Sequence, residues 1–373
     1  MRYEYVETPE HLERVIERLR GLPLIAADTE AAGYHRFLDR LSLIQLSSRE
    51  ENFLIDPLAF DVSPLKPLFE DPAVEKIFHD ADYDLRILDR DAGMGLAGLF
   101  DTQIAAAFLG ERSLGLGNIV EKYLGLKLPK EFQRADWAER PLSQGMMDYA
   151  ATDTVHLPAL RDRLRQELEA VGRLPWAEEE FRRREQTRWT EPDADREAFL
   201  RVKGARDLAP RGLAILRELH AWRDEVARER DQATFRVLAN QALIELSGRA
   251  PRTMRELPEI GGISEGLAQR RGRDILAAIT RGLEVPEGEL PRFPAARRWE
   301  RDPDHEARVE ALKHARNRRA DQLGLDPGFM MSKAMLEDLA RAVPGSPEEM
   351  LDVPGVRRWQ VEALGEALVA VLR

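Results

Sequence analysis

The sequence predicts an α/β domain followed by two all-α helical domains. Two observations support this prediction. Strand-like and helix-like segments alternate over the first ~160 residues, which is the pattern of a sheet covered by helices. Beyond that point the strand signals stop, and the remaining helical sequence repeats itself at a spacing of 93 residues.

The elements of the first domain follow from the spacing of its apolar residues. Strands are predicted at 2–6, 24–30, 41–48, 52–57 and 74–80, the third and fourth joined as a hairpin through the polar turn SREE. Helices are predicted at 9–20, 81–93, 99–110 and 116–125. Asp101 or Thr102 is the expected N-cap of the third of these helices. A hairpin with interleaved helices predicts a mixed sheet flanked by helices.

The second half of the chain is an internal duplication. A shift of 93 residues superimposes Arg223 on Arg316, and APRTMRELPEIGGI on VPGSPEEMLDVPGV. The second copy is the looser one, since the position of Trp222 is taken by Ala315. We therefore predict five segments: a first domain at 1–165, a helical arm and linker at 166–205 whose helical part ends at EPDAD, a first helical domain at 206–284, a linker at 285–304 and a second helical domain at 305–373.

Composition excludes several classes of protein. The absence of cysteine excludes a disulfide framework and thiolate chemistry, and it fits the cytoplasm, where we expect the protein to act. The charged N-terminus is not a secretory signal, and no apolar run approaches the ~18 residues that a membrane span needs. No glycine-rich nucleotide-binding motif follows a strand, which argues against a nicotinamide or nucleotide-sugar enzyme.

The net charge of −11 lies entirely in the first part of the chain. Residues 1–160 hold 17 Lys+Arg and 28 Asp+Glu, and the remainder holds 39 of each. An acidic domain that meets an anionic substrate needs cations to mediate. Bound metal could provide them, and so could the local basic groups at 182–184, 270–273, 316–319 and 357–358, each of which could equally be a solvated helix face.

Three short acidic motifs are candidates for a metal site. Asp28 and Glu30 stand two apart at the end of a predicted strand, and Asp84 lies near the core-facing side of the next helix. Tyr149 and Asp153 are four apart and share one helix face. Each motif alone has an ordinary interpretation: a surface pair at a strand end, first-turn acids that cap a helix, or packing with a polar edge.

The order of these motifs changes their weight. This order resembles that of the DEDD superfamily of 3′–5′ exonucleases, in the subgroup with tyrosine in the third motif. It runs from D-x-E on a strand, through an acid after a strand, to Tyr-x-x-x-Asp on a helix. The resemblance to the ribonuclease D family covers essentially the whole chain. It is carried by the segments FHDADYDLRIL and LFDTQIAAAFLG and by the tandem helical repeat, which looks like the HRDC module.

The resemblance implies a ribonuclease H-like fold and a hydrolytic mechanism. It assigns Asp28, Glu30, Asp84 and Asp153 as ligands of two divalent ions, Mg²⁺ or Mn²⁺, about 4 Å apart. It makes Tyr149 the fifth catalytic residue, which orients the attacking water or accepts its proton. We prefer the orienting role, because a hydroxyl with a pKa near ~10 is a poor base.

The implied substrate is RNA with a free 3′ end, processed to 5′-nucleoside monophosphates, with tRNA maturation as one implied role. We expect a monomer that has no membrane association. Two alternatives stay open from the residues alone. A DNA-directed exonuclease would share the three motifs, and no residue recognisably reads a 2′-hydroxyl. A non-catalytic nucleic-acid scaffold would lose one or more of the acids, and all are present.

Overall fold

The computed structural model describes residues 2–191, 197–294 and 302–372. Two sequence predictions fall partly outside these residues. They are the EPDAD end of the helical arm and the central part of the linker predicted at 285–304. Within the described residues, no helix is both long and apolar enough to cross a bilayer.

The N-terminal domain is built on a mixed sheet. Its strands, among the described residues, are β1 Glu4–Val6, β2 Leu24–Ala31, β3 Leu41–Ser47, β4 Asn52–Ile55, β5 Glu75–Phe78 and β6 Leu99–Asp101. They lie in the order β1-β4-β3-β2-β5-β6. The β2–β3 and β3–β4 pairs are antiparallel, and the other neighbours are parallel. The predicted mixed sheet and hairpin are thereby confirmed.

Helices cover this sheet. They are α1 Pro9–Leu19, α2 Lys66–Glu70, α3 Asp82–Ala92, α4 Thr102–Phe108, α5 Leu116–Leu124, α6 Gln144–Val155, α7 Leu157–Ala170 and α8 Leu174–Arg184. Asp101 caps α4, as predicted, by accepting from the N–H groups of Gln103 and Ile104. The segment just before α4 was predicted as helix but forms β6. Three residues are too few to show strand alternation, and parallel pairing with β5 decides their conformation.

The duplication is structural. The first copy comprises α9 Pro210–Glu229, α10 Thr234–Val237, α11 Asn240–Arg249 and α12 Glu265–Glu284. The second comprises α13 Pro303–Leu323, α14 Pro327–Met330, α15 Lys333–Ala342 and α16 Arg358–Val369. Arg223 donates to the Leu238 carbonyl, and Arg316, one repeat later, donates to the Met331 carbonyl. Equivalent buried arginines therefore tie equivalent turns to the first helix of each copy.

The two copies are packed differently. The first has an apolar core of its own, whereas the core of the second is continuous with that of the N-terminal domain. The buried Trp359 ring lies 4.9 Å from Phe108 and 5.9 Å from Trp176, centroid to centroid. Its indole N–H donates to Glu180 at 2.7 Å. The second copy is thus anchored on α4 and α8. The domain boundaries given above stay a prediction.

Candidate active site

Strand β2 presents two carboxylates on one face. Its first four residues are buried, and Asp28 and Glu30 follow at alternate positions, opposite Gln45 and Leu43 of β3. Since side chains alternate across a strand, both carboxylates point to the same side of the sheet. The β2–β3 register shifts directly after Glu30, so the pair stands where regular pairing breaks off.

Helix α6 brings a third carboxylate to this face. Ser143 caps the helix through the Met146 N–H, and α6 packs against β2, β3 and β4. Asp153 and the buried Tyr149 lie one turn apart on it. The Tyr149 ring is 6.1 Å from the Trp137 ring, so its orientation is set by packing.

These elements converge on one point. One carboxylate oxygen from each of Asp28, Glu30 and Asp153 lies within 4.8 Å of the other two. Asp28, Asp153 and Tyr149 also line a pocket of about 280 Å³ that is open to solvent. The donor set consists of oxygen atoms alone, which is what hard divalent cations such as Mg²⁺ and Mn²⁺ prefer.

Asp84 stands beside this group and is held by β2. Its Oδ1 accepts from the Thr29 backbone N–H at 3.1 Å and from the Thr29 hydroxyl at 2.5 Å. Asp84 is buried at 5% exposure in the first turn of α3. Just before α3, the backbone N–H groups of Asp80 and Ala81 donate hydrogen bonds to the Asp101 carboxylate. The acids of α3 itself do not cap these groups.

The acids resist ionisation together. Burial raises the pKa of Asp28 well above its usual range, and the charges of Asp84 and Glu30 raise it further. Burial and the charge of Asp153 also raise the pKa of Glu30. Burial raises the pKa of Asp84 and of Asp153 to about 7, although hydrogen bonds from Thr29 and Tyr149 oppose these shifts. A bound cation would relieve this cost by stabilising the ionised forms.

Comparison with known proteins identifies the family. A family model described as 3′–5′ exonuclease matches residues 3–169, and a model described as HRDC domain matches 212–279 and 305–372. A ribonuclease D from Pseudomonas paraeruginosa is 33% identical over 376 residues, which cover 99% of this chain and 97% of the relative. The chain belongs to the ribonuclease D family.

Solved structures agree with this assignment. A protein from Bifidobacterium adolescentis superimposes with a TM-score of 0.82 at 26% identity, covering 99% of this chain and 96% of that one. Escherichia coli RNase D, described as an exoribonuclease involved in structured RNA processing, superimposes with a TM-score of 0.69 at 31% identity. That match covers 100% of this chain and 99% of the other. The predicted fold class and the prediction of a hydrolytic nuclease are confirmed.

The structure thus places all five predicted site residues of this ribonuclease D family member in one region. Asp28, Glu30 and Asp153 converge, Tyr149 lies one turn from Asp153, and Asp84 is joined to β2 through Thr29. Members of the DEDD exonuclease superfamily typically use divalent metals. The catalytic and metal-binding roles of the five side chains in this chain stay predictions.

The pocket contains residues that the motifs did not indicate. His79, Lys130 and Gln133 line it, and Gln133 is a hydrogen-bond partner of the Tyr149 hydroxyl. Lys130 and Gln133 belong to the irregular segment between α5 and α6, where no spacing rule relates a residue to a distant site. His79 had one weak signal, its place at the end of β5 immediately before the acids of α3.

Several arginines of the basic groups singled out in the sequence make contacts within this ribonuclease D family member. Arg184 forms an ion pair with Asp82, and Arg357 forms one with Glu180. Arg319 donates a hydrogen bond to the Ala363 carbonyl, and the buried Arg316 donates one to the Met331 carbonyl. Arg271 pairs with Asp274 one turn away on α12. These five side chains therefore have partners within the protein.

Proposed function

We propose that this chain is a 3′–5′ exoribonuclease that releases 5′-nucleoside monophosphates from the free 3′ end of RNA by metal-dependent hydrolysis. The observation that supports this most directly is the convergence of three carboxylate oxygens within 4.8 Å in a pocket shared with Tyr149. Membership of the ribonuclease D family supports RNA as the substrate.

Asp28, Glu30, Asp84 and Asp153 would hold the metal, and four carboxylates are enough for two Mg²⁺ or Mn²⁺ ions. When bound, the ions would lower the pKa of a water molecule and stabilise negative charge on the leaving 3′-oxygen. The carboxylates would fix the positions of both ions from one strand and two helices, with Asp28 and Glu30 on β2, Asp84 on α3 and Asp153 on α6. Thr29 contributes by keeping Asp84 oriented towards them.

Tyr149 positions the attacking water. Burial and the charge of Asp153 raise the pKa of Tyr149 above its ordinary value, so its hydroxyl stays protonated and can orient a water molecule by hydrogen bonding. A protonated hydroxyl cannot accept the proton of water, which favours orientation over general-base catalysis. Packing against Trp137 fixes the ring, and Gln133 lines the same pocket beside it.

We further propose 3′ processing of structured RNA, including tRNA, as the physiological role, in the cytoplasm and as a monomer. The Escherichia coli protein described as acting in structured RNA processing supports the first point. A cysteine-free chain supports the second, and the third is supported only in that all five proposed site residues belong to one chain.

Labelled oligonucleotides test the activity. RNA labelled at its 5′ end should shorten stepwise in Mg²⁺, whereas RNA labelled at its 3′ end should release labelled mononucleotide at once. EDTA and Asp28→Asn should each abolish both signals. Equal or faster cleavage of DNA would favour the DNA-directed alternative, and internal cuts in the 5′-labelled strand would contradict the proposed direction.

A further inference from the structure

Two exposed aromatic rings meet where the N-terminal domain contacts the first helical domain. Tyr34 follows β2 and is 44% exposed, and Phe235 lies in α10 and is 46% exposed. Their ring centroids are 5.2 Å apart with planes inclined by 53°. Rings that served only to hold two domains together would bury most of their surface, so this exposure calls for a different explanation.

Backbone contacts keep the two rings in place. The Ala233 N–H donates to the His35 carbonyl at 3.1 Å, and the Arg236 Nε donates to the Tyr34 carbonyl at 3.0 Å. These bonds join the segment after β2 directly to the turn between α9 and α10 and to α10 itself. The rings are therefore presented on a fixed support and not on loose loops.

Two arginines surround the rings. The guanidinium carbon of Arg236 lies 5.2 Å from the Tyr34 ring centroid, and that of Arg134 lies 5.7 Å from it. Among the described residues neither guanidinium forms an ion pair with a carboxylate, in contrast to those of Arg184 and Arg357. Their terminal nitrogens remain available as donors. We refer to Tyr34, Arg134, Phe235 and Arg236 as the aromatic junction.

The aromatic junction is continuous with the active-site pocket. Residues 130–134 run from one to the other: Lys130 and Gln133 line the pocket, and Arg134 lies over Tyr34. His35 donates from its imidazole to the Arg134 carbonyl at 2.8 Å, which fixes this segment against the one that follows β2. An RNA strand whose 3′ end occupies the pocket can thus reach the aromatic junction by following residues 130–134 of the protein.

We infer that the aromatic junction binds an unpaired nucleotide of the substrate strand, on the 5′ side of the 3′-terminal residue held in the pocket. This inference rests on the proposed function. Aromatic faces stack on any base, and guanidinium groups bind phosphate, so the combination suits single-stranded RNA without sequence preference. It also supplies positive charge beside a domain whose sequence is strongly acidic.

Binding and turnover by the full-length protein test the inference. Binding is measured with a 5′-fluorescein-labelled oligoadenylate of about 12 nucleotides, in an Asp28→Asn background so that the strand is not consumed. Tyr34→Ala and Phe235→Ala should each raise Kd roughly 10-fold. Tyr34→Phe should bind normally, since the ring remains. The double variant Arg134→Ala/Arg236→Ala should lower the slope of log Kd against log salt by roughly 0.7 for each phosphate that the two guanidinium groups no longer neutralise.

Trp189→Ala is the matched control. Its ring is 36% exposed and also has an arginine, Arg90, 4.9 Å above it, but its contacts are with Arg90 and Asp89 of α3 and not with Arg134 of the segment that leads to the pocket. Its Kd should be unchanged. With Asp28 intact, the ring variants should show higher KM on the long oligonucleotide and unchanged kcat on a dinucleotide, which ends before the aromatic junction.

The outcomes separate the two proposals. If the unmodified protein degrades RNA but, in the Asp28→Asn background, Tyr34→Ala and Phe235→Ala bind within twofold of the Asp28→Asn parent, the aromatic junction is not a nucleotide site. An equal loss on the dinucleotide would also overturn the inference, since it would show damage to the pocket. If the unmodified protein does not degrade RNA at all, it is the proposed function that fails.

Discussion

Thr29 donates two hydrogen bonds to one oxygen of Asp84, from its backbone N–H at 3.1 Å and from its hydroxyl at 2.5 Å. The residue between the two acids of the D-x-E motif therefore holds a third acid that comes from another part of the chain. Both bonds favour the ionised form of Asp84 and oppose the burial that raises its pKa. Thr29 would thus prepare Asp84 for metal binding from outside the set of proposed ligands.

Replacing Thr29 tests this role. Thr29→Val keeps the shape and the backbone N–H but removes the hydroxyl, so Asp84 loses its shorter bond. We expect activity at limiting Mg²⁺ to fall about 10- to 100-fold, with partial recovery at high Mg²⁺. Thr29→Ser retains the hydroxyl and should remain close to the parent protein. Equal Mg²⁺ titration curves for Thr29→Val and the parent would show that the hydroxyl has no such role.

Tyr149→Phe separates orientation of water from packing. The ring stays against Trp137, so a residue that only packs would tolerate the change. A hydroxyl that orients the attacking water should contribute about 10²- to 10⁴-fold to kcat. We expect a fall in single-turnover rate of that size at nearly constant KM and unchanged Mg²⁺ dependence. If the single-turnover rate of Tyr149→Phe stayed within about threefold of the parent, the loss would be far smaller than the contribution expected of a positioned catalytic group, and the proposed role would be wrong.

Much of the site could be predicted because its residues obey local geometry. Asp28 and Glu30 share a strand face by the period of two, and Tyr149 and Asp153 share a helix face by the spacing of four. The rest depends on tertiary contacts that no spacing encodes. Lys130 and Gln133 reach the pocket from an irregular segment, and Thr29 shows its role only once α3 is packed on β2.

The same distinction holds for the fold. The duplication was readable because Arg223 and Arg316 repeat at a fixed spacing and make the same bond. The different packing of the two copies was not, since apolar periodicity shows that a helix face is buried but not what covers it. Strand β6 was missed because a short buried segment directly before a helix looks like the start of that helix.

Trp359 and Trp222 provide a matched test of this packing. Trp359 contacts Phe108 of the N-terminal domain, whereas Trp222 is buried within the separate core of the first helical domain. Either change to alanine should cost about 3–5 kcal/mol where the ring is buried. Trp359→Ala should lower the melting temperature of the exonuclease domain and its resistance to heat inactivation. Trp222→Ala should leave both nearly unchanged. If both variants lowered the stability of the exonuclease domain equally, its core would not be shared with the second helical domain alone.

Metal removal should make stability depend on pH in a particular direction. Asp153 has a pKa of about 7 in the metal-free folded protein, against 3.8 for an ordinary aspartate. Above pH ~4 the unfolded chain gives up this proton while the folded chain keeps it, so stability falls as the pH rises towards 7 and levels off beyond. In EDTA we expect a lower melting temperature at pH 8 than at pH 5, and Mg²⁺ should restore the loss by binding the folded state.

Asp153→Asn carries that prediction to a single residue. The amide cannot ionise, so it contributes no repulsion at any pH. In EDTA the variant should melt above the parent protein at pH 8 and close to it at pH 5. Adding Mg²⁺ should raise the melting temperature of the parent much more than that of the variant, because one of the four proposed ligands has lost its charge.

Asp148→Asn serves as the control, because Asp148 lies on the same helix but outside the converging group. It should follow the parent at pH 5 and at pH 8, both in EDTA and in Mg²⁺. If Asp153→Asn were less stable than the parent at pH 8 without metal, the carboxylates would not be repelling one another, and the assignment of this cluster as a metal site would lose its physical basis.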